Sequence, residues 1–212
     1  MASRVGEIFE DEALVTLVKN KLPLLFRIAE LECSRAGKIG MEVGIVRERI
    51  LAGLLIYKFG EDNVETQIPT TESEVDVKVF GQPVSIKTAT GEIGGMKAVW
   101  TVDAEKALEF ARVYNPLCDV LYAHIKWNYT ADRPGGLFFI PLETQRRAIT
   151  QLGKENYLRL PKQGTNPRGV DLSREAVRLL LNDTDTKCIP IEWKRPEMTY
   201  DPYKRGVDYW RE

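Results

Sequence analysis

The sequence has few of the residues that build disulfide frameworks or soft-metal sites. Its three cysteines, Cys33, Cys118 and Cys188, are odd in number and lie far apart among 212 residues. This spacing argues against both a disulfide framework and a zinc knuckle. The single histidine, His124, excludes a histidine-rich metal centre, and we interpret it as structural. We therefore expect the chain to work in a reduced, intracellular environment.

Long hydrophobic runs are also missing. The longest one, residues 51–57, is far shorter than the roughly 18 residues that span a bilayer, so we expect no membrane partner. The first residues lead into an acidic segment and not into an apolar signal stretch, so secretion is not expected.

Charge of one sign is not in excess. Thirty basic and 31 acidic side chains leave a net charge of −1, which excludes a histone-like polycation but allows a local basic surface. With 43% hydrophobic residues the chain can bury a sizeable core, and its length favours a single domain spanning residues 1–212.

Hydrophobic periodicity predicts helices on both sides of a block of strands. Predicted helices cover residues 9–21, 24–33, 42–59, 103–114, 141–152 and 173–181, with Asp171 or Ser173 capping the last one. Predicted strands cover residues 64–68, 74–80, 84–88, 98–101, 118–127, 137–140 and 187–193. The expected fold class is α/β (α+β), with a central mixed β-sheet flanked by helices and a helical N-terminal third.

One predicted hairpin places an acid beside a lysine. Residues 74–80 alternate, so the valines point to one face and Asp76 points to the other together with its polar neighbours. Gly81 and Gln82 favour a two-residue type II′ turn, which has glycine first. In that register Asp76 lies directly opposite Lys87, with their Cβ atoms about 5 Å apart.

Asp76 and Lys87 have the chemistry of a metal-dependent phosphodiesterase. A carboxylate can hold Mg²⁺ against a scissile phosphate, and an ammonium group can orient or deprotonate water and offset developing charge. Glu48 is the candidate for a second ligand because it lies on an apolar helical stripe, where an ionised carboxylate needs compensation. The alternatives are a cross-strand ion pair for Asp76 and Lys87, and for Glu48 a pair with Arg47 or Arg49.

These residues resemble the core of the PD-(D/E)XK nucleases, in which an acid on a helix precedes an aspartate and a lysine on two strands. The spacing of Glu48, Asp76 and Lys87, with Met41 seven residues before the glutamate, is similar to that of the ThaI restriction endonucleases, which cut the palindrome CGCG. Further resemblance lies at residues 40–44, 47–49, 85–91, 99–103 and 165–169.

The resemblance implies a type II restriction endonuclease that acts on double-stranded DNA as a homodimer. It implies dependence on Mg²⁺ and blunt ends with a 5′-phosphate and a 3′-hydroxyl. Glu48, Asp76 and Lys87 would be catalytic, and Glu48 and Asp76 would bind the metal. It also implies a prokaryotic, cytoplasmic enzyme whose cognate DNA methyltransferase is a functional counterpart and not a stable partner.

The chain departs from the superfamily pattern at one position. Ser85 stands two residues before Lys87, where the pattern has an acid, so Glu48 is the candidate for the missing carboxylate. Two other segments, residues 185–187 and 192–194, also satisfy a D/E-x-K pattern. Neither has a hairpin aspartate upstream, so we interpret both as surface charge.

Several polar and basic residues are candidates for contact with DNA. Residues 145–168 hold six basic side chains against Glu155 alone, which fits either a phosphate-binding surface or a solvated helix face. The segment after the lysine strand, residues 88–97, offers hydroxyls, glycines and a lysine. The predicted DNA-binding residues are Met41, Lys38, Ser85, Thr88, Thr90, Lys97, Asn166 and Arg168.

Two rival functions stay open at this level. One is a repair or recombination nuclease of the same superfamily without a fixed recognition sequence. The other is a non-catalytic DNA-binding protein in which Asp76 and Lys87 form only a surface ion pair.

Met41 yields a test between two roles. Nearby glycines allow close approach to DNA, and a thioether can wedge into easily unstacked CG steps. For Met41→Ala a wedge predicts near-wild-type thermal stability, weaker specific binding and loss of the unwinding measured with topoisomerase-relaxed circles. A hydrophobic staple on Ile45 or Val46 predicts instead a lowered melting temperature with unchanged unwinding, and that result would rule out the wedge.

Overall fold

The computed structural model describes residues 3–35, 38–40, 42–69, 72, 74–99, 103–128, 135–161 and 169–211. The helices are α1 (Glu12–Glu32), α2 (Val43–Phe59), α3 (Ala104–Val113), α4 (Leu142–Leu152), α5 (Lys154–Tyr157), α6 (Arg174–Asn182) and α7 (Lys204–Arg211). Short 3₁₀ helices cover Arg4–Phe9 and Glu61–Asn63. The strands are β1 (Ser34–Arg35), β2 (Lys38–Ile39), β3 (Val64–Glu65), β4 (Val77–Val79), β5 (Gln82–Thr90), β6 (Met96–Val99), β7 (Asp119–Ile125), β8 (Gly136–Ile140), β9 (Leu158–Arg159), β10 (Val170–Leu172) and β11 (Lys187–Pro190).

Six strands form one mixed sheet in the order β11-β8-β7-β5-β4-β3. Strands β5 and β7 run parallel, whereas the other neighbouring pairs are antiparallel. A parallel pair needs a long crossover, which here contains β6 and α3. Helices flank this sheet, so the predicted fold class is confirmed. Smaller sheets join β6, β10 and β9, and β1 with β2.

Each face of the central sheet has its own hydrophobic core. Along β7, Leu121, Ala123 and Ile125 point to a core that they share with α1 and α2. The alternate residues Val120 and Tyr122 point to a second core with side chains from α3, α4, α5 and α6. The N-terminal third is mainly helical, as predicted, and its helices cover one face of the sheet. In the described segments, none of the helices has the length and apolar character that a membrane crossing requires.

Most predicted helix ends agree with the structure. Asp103 caps α3 by accepting two backbone N–H groups, at 2.8 and 3.2 Å. Ser173, and not Asp171, caps α6 through an N–H at 3.0 Å. The sequence predicts two helices, at residues 9–21 and 24–33, with Pro23 starting or kinking the second one. This division is wrong, because α1 runs through Pro23. Pro23 is buried together with Leu22 and Phe26, and we attribute the continuous helix to this packing, which offsets the missing hydrogen bond.

The predicted hairpin exists, but its register is wrong by two residues. Val77 pairs with Val84 and not with Ile86, and the turn residues are Phe80 and Gly81. Both have positive φ, 50° and 75°, as a type I′ turn requires, and this turn suits the twist of the strands. A shift of two residues keeps every side chain on its predicted face. Asp76 and Lys87 therefore still share one face.

A buried carboxylate joins the N-terminal helices to the sheet. Glu30 in α1 is 1% exposed and accepts hydrogen bonds from Arg47 at 2.6 Å and from Trp127 at 2.5 Å. Arg195 and Arg27 approach its other oxygen at 3.2 and 3.3 Å. The contacts connect α1, α2, the end of β7 and the segment after β11, so Glu30 fixes how these elements meet.

Glu30→Gln should destabilise the protein by about 3–5 kcal/mol, because it leaves the buried Arg47 guanidinium without its counter-ion. Urea or guanidinium unfolding measures this change. Glu143→Gln is the control, since Glu143 and Arg146 form an exposed pair, and its removal should change stability by about 1 kcal/mol or less. Equal losses in the two variants would contradict the structural role of Glu30.

Candidate active site

Asp76 lies immediately before β4, where its carboxylate is held across the hairpin. Its Oδ2 accepts hydrogen bonds from the backbone N–H of Ile86 at 2.6 Å, from the Ser85 hydroxyl at 3.1 Å and from Lys87 Nζ at 3.2 Å. Within the part of the chain that the structure describes, these donors converge on one oxygen. The other oxygen, Oδ1, is therefore the one available to a ligand.

Ser85 occupies the position at which the superfamily pattern has an acid. The residue is 3% exposed, and its hydroxyl is directed to Asp76. The Ser85 hydroxyl thus helps to orient the carboxylate of Asp76, although a serine cannot itself act as a carboxylate ligand. Its predicted contact with DNA stays a prediction, and the buried position favours the orienting role.

Glu48 reaches the same place from α2. Together with Asp76, Thr66 and Ile86 it lines a cleft of about 450 Å³. The pKa of Glu48 is raised from 4.5 to about 7, chiefly by burial; Lys87 counteracts the rise, and Asp76 adds to it. A partly buried carboxyl group with a second carboxylate beside it forms a suitable place for a hard cation.

The ion-pair alternative for Glu48 has no support among the described residues. Arg47 donates to Glu30 and to Thr90 instead. Arg49 lines the cleft, but in the described segments it forms no salt bridge with Glu48. The compensation that a carboxylate on an apolar stripe requires must therefore come from Lys87 or from a bound cation.

The donor set matches the needs of Mg²⁺. This ion keeps several waters and binds proteins through one or two carboxylates together with substrate phosphates. Glu48 and Asp76 would supply those two carboxylates. Over the described segments there is no cluster of three or more histidine, cysteine, aspartate or glutamate side chains that could hold a metal ion.

Glu74 is a neighbour of the site to which the sequence patterns assigned no role. It lies with Ser85, Lys87 and Lys97 around a small cavity of about 20 Å³. Burial raises the pKa of Glu74 to about 7, and Lys87 opposes that shift. The alternation of residues 74–80, which puts Glu74 on the face of Asp76, was the signal that could have identified it.

The predicted DNA-binding residues fall into three groups. Lys38 on β2 is exposed, and Thr88 and Thr90 lie on the face of β5 that meets α2. Lys97 on β6 forms a salt bridge with Asp171 at 2.6 Å, so in this state its charge is paired. The remaining predicted contacts, Met41, Asn166 and Arg168, lie outside the described residues.

Some of the basic side chains of residues 145–168 are paired in the structure with acids that lie outside this stretch. Arg147 pairs with Asp183 and Asp185, at 2.9 and 2.7 Å. Arg159 pairs with Asp171 at 2.8 Å. Aspartates from later parts of the chain thus neutralise Arg147 and Arg159, although residues 145–168 contain Glu155 as their only acid in sequence.

The two D/E-x-K look-alikes are surface charge, as predicted. Asp185 pairs with Arg147, and Lys187 pairs with Glu10 at 2.5 Å. Glu192 and Lys194 are both exposed and pair with each other at 2.9 Å. The ion pairs of Lys187 and Lys194 therefore do not involve Asp76 or Glu48.

The raised pKa of Glu48 should make the metal-free protein less stable as pH rises. The folded chain holds a proton on Glu48 between pH 4.5 and about 7 that the unfolded chain releases, so stability falls across that window. Glu48→Gln should reduce this fall, and Glu74→Gln should reduce it in the same direction. Melting temperatures in EDTA across that window measure the slope, with Glu143→Gln as control. An unchanged slope in both variants would contradict the burial of these two carboxyl groups.

Comparison with known proteins gives one consistent family. The model of the family "Restriction endonuclease ThaI" matches residues 8–212. The chain is also similar to a solved "Restriction endonuclease in complex with substrate DNA", with 50% sequence identity, a TM-score of 0.91 and 99% of each chain covered. No curated protein matches the chain. The chain belongs to the ThaI restriction endonuclease family and is a type II site-specific deoxyribonuclease.

Proposed function

We propose that this restriction endonuclease hydrolyses double-stranded DNA at the palindrome CGCG, with Mg²⁺ as cofactor, and leaves blunt ends with a 5′-phosphate and a 3′-hydroxyl. The observation that carries the proposal is the meeting of Glu48, Asp76 and Lys87 at the edge of the central sheet. This arrangement resembles a PD-(D/E)XK active site and so supports the proposal. The family match and the substrate DNA bound by the similar endonuclease support the choice of substrate.

Each of the three side chains has a distinct task in this proposal. Glu48 and Asp76 hold the cation, which when bound supplies Lewis-acid polarisation of the phosphate and of water. Hydrogen bonds from Ser85 and Ile86 keep the Asp76 carboxylate in place. The ammonium of Lys87 stays beside Asp76, where it orients the attacking water and offsets charge on the phosphate.

The DNA-binding surface is proposed to surround this cleft. Lys38, Thr88 and Thr90 lie on the elements that carry or adjoin the catalytic residues. Met41, Asn166 and Arg168 complete the proposed surface, and Lys97 joins it if DNA displaces its partner Asp171. We place the enzyme in a prokaryotic cytoplasm, as one domain, with a cognate methyltransferase as a functional counterpart.

Plasmid digestion followed by sequencing of the ends tests the proposed function. Wild-type protein with Mg²⁺ should give discrete bands with blunt ends at CGCG. Asp76→Asn and Glu48→Gln should fold and retain DNA binding but lose cleavage by several orders of magnitude, because each removes a metal-binding charge. Asp185→Asn is the matched control and should cleave normally, since Asp185 belongs to a look-alike motif. A smear in place of bands would favour a non-specific nuclease, and binding without cleavage would favour a non-catalytic protein.

A palindromic site has two equivalent scissile phosphates, and each chain carries one catalytic hairpin. We therefore propose a two-fold symmetric homodimer. Light scattering should give the mass of two chains for the protein alone, and the mass of two chains plus one duplex after a short CGCG duplex is added. A monomer under both conditions would contradict the dimer.

A further inference from the structure

The C-terminal end of β5 is held firmly although it lies at the surface. Thr90, its last residue, is followed by Gly91 with φ of 95°. The Gly91 N–H donates to Ile125 O at 2.9 Å. His124 Nε2 lies 2.8 Å from Gly91 O, and because a carbonyl only accepts, this nitrogen carries the proton. The N–H and the carbonyl of Gly91, the residue after Thr90, are therefore both anchored to β7.

The hydroxyl of Thr90 has a defined orientation. Arg47 Nη1 donates to Thr90 Oγ1 at 2.9 Å. A guanidinium has no acceptor, so the hydroxyl must be the acceptor in this contact. Its own proton is then directed away from Arg47. Because Thr90 is exposed, that proton is available to an acceptor from solution.

Arg47 is well suited to hold this hydroxyl in one place. Its side chain is 5% exposed, and its Nη2 donates to Glu30 at 2.6 Å. The guanidinium also lies 5.5 Å from the ring centroid of Phe26. Because Glu30 fixes Nη2, the planar guanidinium has little rotational freedom, and Nη1 points at Thr90.

The same arginine also lies between the two catalytic elements. It immediately precedes Glu48 in α2, and Thr90 follows Lys87 by three residues in β5. At about 3.3 Å per residue, Thr90 lies about 10 Å along the strand from Lys87. Thr90 points to the α2 face of β5, from which Glu48 reaches the cleft, whereas Lys87 points to the opposite face. A DNA strand whose scissile phosphate lies between Glu48 and Lys87 would bring a neighbouring phosphate near Thr90.

We propose that the Thr90 hydroxyl donates a hydrogen bond to a backbone phosphate next to the scissile one, and that Arg47 is the positioning residue that orients this hydroxyl. The inference rests on the proposed cleavage of DNA at CGCG and names a contact within it. Hydroxyl groups commonly bind phosphate oxygens in protein–DNA complexes, where they set register and carry no sequence information. The contact places the scissile phosphate relative to Glu48 and Lys87.

Single-turnover cleavage of a self-complementary CGCG duplex by Thr90→Val and Thr90→Ser tests the contact. Valine keeps the shape of the side chain and removes the hydroxyl, so cleavage at low enzyme concentration should fall roughly 10- to 100-fold, the value of a hydrogen bond to a charged group. Serine should restore cleavage. Thermal stability should be near wild type in both, because water can replace the hydroxyl at the exposed strand end.

Duplexes with one neutral methylphosphonate per strand identify the phosphate. At the contacted position the wild-type enzyme should lose activity to the level of Thr90→Val, and Thr90→Val should lose nothing further. Loss of less than about twofold in Thr90→Val on the unmodified duplex would overturn the proposal, as would equal sensitivity of both enzymes at every position. Failure of the wild type to cut the unmodified duplex would instead overturn the proposed function.

Arg47→Lys tests the positioning role. Lysine keeps a positive charge near Glu30 but has no second nitrogen to reach Thr90. In this background Thr90→Val should have no further effect on cleavage, whereas additive losses would show that Arg47 does not act through Thr90. If Arg47→Lys fails to fold, the same test is made with Glu30→Gln, which removes the carboxylate that holds the Arg47 fork.

Discussion

The carboxylate of Glu30 is the contact on which the arrangement of the site depends. An ionised group that is 1% exposed is stable only when cations and N–H donors surround it, and here Arg47, Trp127, Arg195 and Arg27 do so. These partners come from different parts of the chain. Satisfying one buried charge therefore fixes the position of α2 against the sheet, and with it the position of Glu48.

The cleft that contains Glu48 and Asp76 is not an arrangement that favours stability. Burial raises the pKa of both Glu48 and Glu74 to about 7, so ionised carboxylates at these positions are disfavoured. Lys87 offsets part of that penalty, and the hydrogen bonds on Asp76 fix a third carboxylate nearby. Such an accumulation of poorly compensated negative charge is typical of a functional site, where a bound cation completes the balance.

The surface charge illustrates why a count along the chain is a poor guide to DNA binding. Residues 145–168 look strongly basic in sequence, yet Arg147 and Arg159 meet Asp183, Asp185 and Asp171 in space. Lys97 shares Asp171 as well. DNA would have to displace these acids before the basic groups could contact phosphate, whereas Thr90 presents a hydroxyl proton that the fold leaves available.

The sequence by itself determined features that depend on neighbouring residues. Period-two alternation assigned Asp76 and Lys87 to one face, helical periodicity placed Glu48 on α2, and Asp103 marked the start of α3. These patterns arise from backbone geometry that repeats every few residues, so no knowledge of distant contacts is needed. Face assignments even survived the error in hairpin register, because the shift was an even number of residues.

Only the tertiary structure decided which distant groups meet. Packing on the sheet let α1 continue through Pro23. The positive φ angles of Phe80 and Gly81 determined that the hairpin has a type I′ turn. Arg47 could have paired with Glu48 by sequence proximity, but a buried Glu30 and the end of β5 determined its partners. Such choices depend on desolvation and on the closure of long chain segments, and neither is encoded in the spacing of neighbouring residues.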